Sequence, residues 1–430
     1  MRRVGLGGVL GDMDSPARFI VFAVLTGLIT VAVHIYLYRR LFADTLEDAR
    51  WRRVGMGVLT VLGTLLVLSW SVTRFLPMDA LFAVATGVWM WMGAALYLLL
   101  ALWSIGGARA LGRRLTGSRV SKERTGDAVA GGLMAVVEGA GSGLEVEVAP
   151  AEVNVERRRF LARATAGGAL LASGGLTGYG AWRAFHPPVV NEVAVRLPGL
   201  PKALDGFTIV HLSDIHVGPV IQRRFMDELV ARCNDLRPDL VAITGDLVDG
   251  KVASLGPAVA ALRELRAGYG TYFVTGNHEY YWDQDAWAQA LEGMDIQVLR
   301  NRHVRIGDAG ASFDLVGVDD WSGGHTGVRG YDLEAAVKGR EPERAAVLLA
   351  HQPSNWRVAA QAGMGLQLSG HTHGGQFFPF TLAVSAIWEH DAGHFQEDGK
   401  HLYVSRGTGF WGPPLRVGAP PEIVKVTLLA

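Results

Sequence analysis

Cysteine is almost missing from this chain: Cys233 is the single one in 430 residues. That excludes an internal disulfide framework and any zinc site built on thiolates. The surrounding 226-MDELVARCNDL-236 has the spacing of an amphipathic helix, which makes Cys233 a core residue. Net charge is absent too. Lys+Arg and Asp+Glu both number 41, so no global basic bias offers a nucleic-acid-binding surface. Charged residues are lacking altogether from three long apolar stretches, 19–38, 55–73 and 80–105. Each matches the roughly 20 residues that a helix needs to cross a bilayer. His34, inside the first, reads as a tolerated polar residue near a membrane face rather than as a haem or proton-relay ligand.

Arginine placement orients these spans. Loop 39–54 and segment 107–159 together hold fourteen basic residues, against four in the N-terminal tail and the 74–79 turn. The richer side is expected to be cytoplasmic, with the N-terminus outside. Residues 1–110 form a three-span anchor in this reading, and 111–156, poor in aromatics, a flexible cytoplasmic linker. Next comes 157–185, a fourth apolar segment containing six glycines in 164–182. Its opening Arg157-Arg158-x-Phe160-Leu161 looks like a twin-arginine signal, with an ordinary membrane helix as the alternative. Either way the remainder, 186–430, lies outside the cytoplasm on a multi-pass membrane protein.

From 187 onward short apolar strands alternate with helical patterns. Strands are predicted at 207–212, 240–244, 271–275, 313–318, 346–350, 366–369 and 402–405, with helices over 221–236 and 255–268. Apolar runs without polar alternation imply sheets covered on both faces, hence a layered α/β domain. Polar clusters follow five of these strands. They are Asp214-x-His216, Gly245-Asp246-x-x-Asp249, Gly276-Asn277-His278-Glu279, His351, and Gly370-His371-x-His373-Gly374-Gly375. Ligand sites gather at the C-terminal ends of strands in α/β folds. Carboxylate, amide oxygen and imidazole suit Mn, Fe, Zn or a similar divalent ion rather than soft copper. The donors are too many for one tetrahedral ion and enough for two. A metal pair clamps the attacking and leaving oxygens of a phosphoryl displacement and activates water.

Complete and in order, these five blocks resemble the calcineurin-like metallophosphoesterase superfamily, over about 190–427. Phrases such as 211-HLSDIHVG-218 and 407-GTGFWGPPLRVGAPPEI-423 are similar to its membrane-attached or exported bacterial branch. The resemblance implies an α/β, layered β-sandwich domain flanked by helices. It further implies a membrane-tethered, two-metal hydrolase of phosphate esters, acting on phosphodiester or pyrophosphate bonds, with lipid or cell-envelope material as the suggested substrate. One ion would take Asp214, His216, Asp246 and His373, and the other Asp246, Asn277, His351 and His371. Asp246 would bridge them, and His278 would protonate the leaving oxygen or stabilise phosphoryl charge. Asp249 and Glu279 are candidates for orienting ligand histidines, and Gln376 for touching substrate. Tyr281, Trp282, Trp321, Trp388 and Trp411 are candidates for lining a substrate surface, with ordinary packing as the alternative. The competing function is a catalytically silent metal-binding sensor or assembly domain on a membrane anchor. Missing ligands would mark it, and none is missing.

Overall fold

The computed structural model describes residues 15–72, 78–130 and 155–430. They form two compact units, 15–72 with 91–130 and 155–176, and 78–90 with 177–430. The first is helical, built from α1 (Ser15–Tyr38), α2 (Ala49–Val72) and most of α3 (Met78–Ala130) and α4 (Val155–Phe185). Val24–Ala43, Ala49–Ser69 and Leu81–Gly112 are long and apolar enough to cross a membrane. Leu28 and Ile29 stand out from α1 at 62% and 63% exposure, as lipid-facing side chains do. His34 is buried and held at both ring nitrogens: Nδ1 lies 2.7 Å from the Thr30 carbonyl, and Nε2 accepts from Trp91 Nε1 at 3.0 Å. It pins α1 to α3, leaving neither nitrogen free for a ligand.

Two expectations shift in this region. Helix α3 continues to Ala130, through Ala, Leu and Arg residues of high helix propensity, so the first part of the expected 111–156 linker is helical. The rest of that linker, from 131 to 154, and Arg2 and Arg3 of the N-terminal tail lie outside the described residues. Helix α4 covers the glycine-rich fourth segment, but its last turns pack with the second unit. Ala184 joins that unit's core, and the amide of Arg416 donates to the Gly180 carbonyl at 2.9 Å.

The second unit holds two six-stranded sheets. The first is ordered β1 (Val189–Arg196), β12 (Glu422–Leu429), β2 (Phe207–Leu212), β3 (Leu240–Thr244), β4 (Thr271–Val274) and β5 (Ile296–Val298). The second is ordered β10 (Gly393–Glu397), β11 (Lys400–Val404), β9 (Leu366–Ser369), β8 (Ala346–Leu349), β7 (Ala311–Gly317) and β6 (Arg302–Asp308). Strands β2 to β5 run parallel, as do β7, β8, β9 and β11. Side-chain alternation divides each strand between two cores. Ile209, Ala242, Tyr272, Leu315, Val347 and Leu368 point into the space between the sheets. Their neighbours Val210, Val241 and Phe273 point the other way, under α5 (Arg223–Asp235), α6 (Val252–Val259) and α8 (Gln284–Glu292). Val316 and Leu348 do the same beneath α10 (Leu333–Val337) and α11 (Trp356–Gln361). The result is helices, sheet, sheet, helices, the layered sandwich that the resemblance implies.

Cys233 is buried among Met226, Leu229 and Val230 on α5, as the amphipathic spacing requires. All seven expected strands are present. The helix expected over 255–268 begins instead at Val252 and ends earlier, passing into a 3-10 turn over Ala260–Glu264 before Leu265 turns extended.

Candidate metal centre

The parallel strands deliver their C-terminal ends to one edge of the sandwich. Beyond β2 come Asp214 and His216, beyond β3 Asp246, beyond β8 His351, and beyond β9 His371 and His373. Asn277 and His278 open the short α7 (Asn277–Tyr281) after β4. Asp214, His216 and His373 form one cluster of potential ligand atoms, and Asp246, His351 and His371 another, each within 4.8 Å. In the first, His216 Nε2 lies 3.1 Å from His373 Nε2, which lies 3.3 Å from Asp214 Oδ1. In the second, Asn277 Oδ1 lies 3.0 Å from His371 Nδ1 and 3.1 Å from His351 Nε2. Asp246 Oδ2 faces both clusters, 3.3 Å from His351 Nε2 and 3.8 Å from His216 Nε2. Oxygen and imidazole lone pairs crowded this closely away from water repel one another unless a cation sits among them. The donor set therefore fits divalent metal ions.

The backbone is bent to achieve this. Asp214, His216, Asp246, His371 and His373 all have positive φ, between 50° and 74°. Side chains with a Cβ rarely adopt that region, at about 1–3 kcal/mol each, and such strain gathers at functional sites. Two glycines make the close approaches possible. A Cβ on Gly276 would come 2.2 Å from Asp246 Oδ1, and one on Gly370 2.1 Å from Asp214 Oδ2. Gly374 and Gly375, with φ of 56° and 74°, make the tight turn expected beside the two histidines.

A second tier of groups aims these donors. Asp246 Oδ1 accepts the His278 amide at 2.9 Å, which turns Oδ2 toward the histidines. The Asp214 carboxylate accepts the His371 amide at 3.0 Å. His351 Nδ1 lies 2.8 Å from the Thr244 carbonyl, presenting Nε2 inward. Asp249 does what was expected of it, meeting His216 Nδ1 at 3.2 Å and His278 Nδ1 at 2.6 Å. Glu279 does not. Its carboxylate instead accepts the amides of Gly276 at 2.6 Å, Leu247 at 2.9 Å and Asp246 at 3.0 Å, fixing the loop that carries Asp246.

Burial and charge act together here. Burial pushes the Asp246 carboxyl up, but His351 and His278 outweigh it and hold it well below its ordinary range. Burial, then Asp246, raises Glu279 to about 7. Burial lowers His278, yet Asp246 and Asp249 bring it up to about 9. His373 is held well below its ordinary value by burial, then by His216 and Arg416.

The remaining expectations divide. Tyr281 and Trp411 touch the His278 ring, with centroids 5.1 and 5.8 Å away, and Trp388 lies 5.4 Å from His371. Trp282 packs on the core below the first sheet. Trp321 stacks on Tyr331 at 4.0 Å and, with Arg300 and Arg329, lines a cavity of about 640 Å³. Gln376 is not open to substrate. Its amide nitrogen donates to the carbonyls of Trp411 at 2.9 Å and Pro413 at 3.0 Å, clamping the Gly-rich loop after β11. Arg406, the arginine nearest that turn in sequence, pairs with Glu422 at 2.8 Å. The cation the sequence reading missed is Arg416. It is wholly buried, it donates to the His373 carbonyl at 3.3 Å, and its Nη2 lies 3.3 Å from His373 Nδ1.

The model of the calcineurin-like phosphoesterase family matches residues 207–375. A transmembrane protein with metallophosphoesterase domain from Bos taurus is 42% identical over 263 residues, covering 58% of this chain and 59% of that protein. An uncharacterized metallophosphoesterase of Aquifex aeolicus is 36% identical over 56% of this chain and 91% of its own length. Another, from Bacillus subtilis, is 30% identical over 64% of this chain and 98% of its own. This chain thus spans about three fifths of the cattle protein and nearly all of the two bacterial ones, so the resemblance is not confined to a bacterial branch. With these relatives and that strand-end donor set, the chain belongs to the calcineurin-like metallophosphoesterase family.

Proposed function

We propose that this protein is a membrane-tethered, metal-dependent hydrolase of phosphate esters, acting on phosphodiester or pyrophosphate bonds outside the cytoplasm. The observation that carries the reading is the sharing of one carboxylate, Asp246, between two donor clusters. Asp214, His216, Asp246 and His373 would hold one divalent ion, and Asp246, Asn277, His351 and His371 the other. Bound there, the pair would supply Lewis-acid polarisation and an activated water. Hydrolysis there would bond the water oxygen to phosphorus and break the ester P–O bond, the water giving up one proton to solvent and the leaving oxygen taking one. His278, held by Asp249 beside Asp246, is the group to give that proton or to bind a phosphoryl oxygen. Asp249 orients it, and Arg416 braces the loop bearing His373.

The domain plan follows: an anchor over 1–110, a cytoplasmic linker over 111–156, the 157–185 segment with its twin-arginine-like start, and the phosphoesterase domain over 186–430. The arginine count supports an outside location for that domain. So does the grouping of residues 78–90, the start of the third apolar helix on the arginine-poor side, with the unit that carries the donors.

The test uses the full chain in detergent, stripped with chelator and reloaded with Mn, Zn, Fe or Mg. Hydrolysis of a chromogenic phosphodiester and of the matching monoester is followed beside Asp246→Asn and His278→Ala. Metal-dependent turnover lost in both variants is expected. Two ions bound without turnover of either ester would point instead to the silent metal module.

A further inference from the structure

The helix that follows the His371-x-His373 turn is left largely uncovered by the described residues. Helix α12 (Phe380–Ile387) reads FTLAVSAI, carries no charge, and buries none of its residues. Leu382 is 64% exposed and Ile387 75%, and Phe378 and Phe380 stand open beside them. Uncovered apolar surface costs about 25 cal/mol per Å² in water, and contiguous patches of it mark contact surfaces. One end of the helix reaches the metal centre: Trp388, just after it, faces His371, while the His373–Gly375 turn precedes the helix in the chain.

A series of contacts links α12 to the third apolar helix. Phe378 bonds through its amide to the Val417 carbonyl at 2.9 Å, and the Val417 side chain rests against Gly180 of α4. Around Gly180, Tyr179, Trp182 and Phe185 are all exposed, and Phe185 meets Phe410 edge-on at 5.7 Å. Phe410 shares a core with Ala184 and with Ala85, and Ala85 lies within the candidate span Leu81–Gly112. Phe410 is followed by Trp411, half exposed, whose ring lies against His278. Tyrosine and tryptophan favour the headgroup level of a bilayer.

We infer that α12 and its aromatic neighbours seat in the surface of the bilayer that the third apolar helix enters. The metal centre then opens at the headgroup level, and its substrate is an amphiphilic phosphate ester whose apolar tail stays in the membrane. The surface itself stands on geometry alone, whereas the substrate class rests on the phosphoesterase reading.

The experiment uses the full chain in phosphatidylcholine nanodiscs with brominated acyl chains. An environment-sensitive fluorophore is attached at Leu382→Cys or Ile387→Cys, Cys233 being buried and out of reach. The control is Asp308→Cys, in the β6–β7 hairpin at the end of the second sheet opposite the metal centre. Quenching at 382 and 387 but not at 308 is expected, and equal quenching at all three, or none, overturns the docking surface. Protection at 382 by cross-linking to a second copy, without quenching, overturns it as well. In parallel, the double variant Leu382→Glu/Ile387→Glu is compared on a long-chain phosphodiester in vesicles and on a soluble chromogenic one. The ratio of vesicle to soluble turnover should fall at least about tenfold, the loss expected when two aliphatic side chains are each roughly half-buried. An unchanged ratio refutes the amphiphilic substrate. Absence of any turnover in the parent chain refutes the phosphoesterase reading alone, since quenching still decides the surface.

Discussion

Replacing Arg416 by methionine should unfold the second unit more readily than any exposed substitution in it. The guanidinium is fully buried, and it donates to the carbonyls of Arg406 at 2.7 Å, Gly409 at 3.1 Å, Ala419 at 3.2 Å and His373 at 3.3 Å. The His373 carbonyl keeps a second donor, the Gln376 amide at 3.0 Å. The other three lose the donor described here. A buried acceptor left unsatisfied costs about 1–3 kcal/mol, so three give about 3–9 kcal/mol. Removing the charge relieves its own burial, which pulls Arg416 down to about 9. Water entering the vacated space offsets more. The low end follows, about 4 kcal/mol, in line with the cost of breaking other buried charged networks. Arg416→Lys keeps the charge and three donors but not the planar fork, and should lose about half as much. Urea unfolding of the full chain in detergent, in excess chelator so that bound ions do not add to stability, measures both. A loss below about 1 kcal/mol for the methionine variant would refute the view that this residue holds the loop together.

Asp249→Ala should weaken metal binding about 10–100-fold in a titration, because His216 and His278 both lose the carboxylate that orients them. Unchanged affinity would leave Asp249 a bystander. Gly276→Ala should disrupt the centre while leaving the sheets intact, since its Cβ would come 2.2 Å from Asp246 Oδ1. Circular dichroism with metal titration separates the two effects, and full metal binding by this variant contradicts the geometry. Trp91→Phe should cost only about 0.6 kcal/mol in a detergent unfolding assay, the usual size of a polar contact between membrane helices. A much larger loss would give His34 a wider role. Cys233, its thiol pushed up to about 12 by burial, should resist thiol reagents until the protein unfolds. Reaction at a native rate would mean that α5 opens.

The seven predicted strands were legible because both of their faces demand apolar side chains and each run is unbroken. Edge strands carry no such demand. Strand β10, GHFQE, and β6, RHVRIGD, mix charge and apolar groups because only part of each is covered. Strand β5 has three residues, too few for any pattern. Strand β12, EIVKVTLL, was missed although it lies mid-sheet: Lys425 and Thr427 interrupt its apolar run, and nothing local shows that the last strand returns between β1 and β2. The helix-to-core docking of Ala184 and Ala85 is equally invisible, since small residues in an apolar helix look the same whether they face lipid or protein.

The candidate site was read from residue type, because a cation can be held only by groups with lone pairs and few side chains carry them. Seven potential donors stood out for that reason alone. What aims them did not, because much of it is backbone. The Thr244 carbonyl turns His351, and the amides of His278 and His371 turn Asp246 and Asp214, yet any residue at those positions offers the same groups. Glu279 and Gln376 sit among the motifs and invited a role at the ligands or the substrate, but both spend their hydrogen bonds on loops. Arg416 gave the only sequence signal of the bracing that was overlooked. An arginine inside 413-PPLRVGAPP-421, with no acid within five residues on either side, has nothing local to pair with. A cation in such a setting must either stay in water or gather carbonyls around itself, and the strained turn bearing His373 supplies one of them.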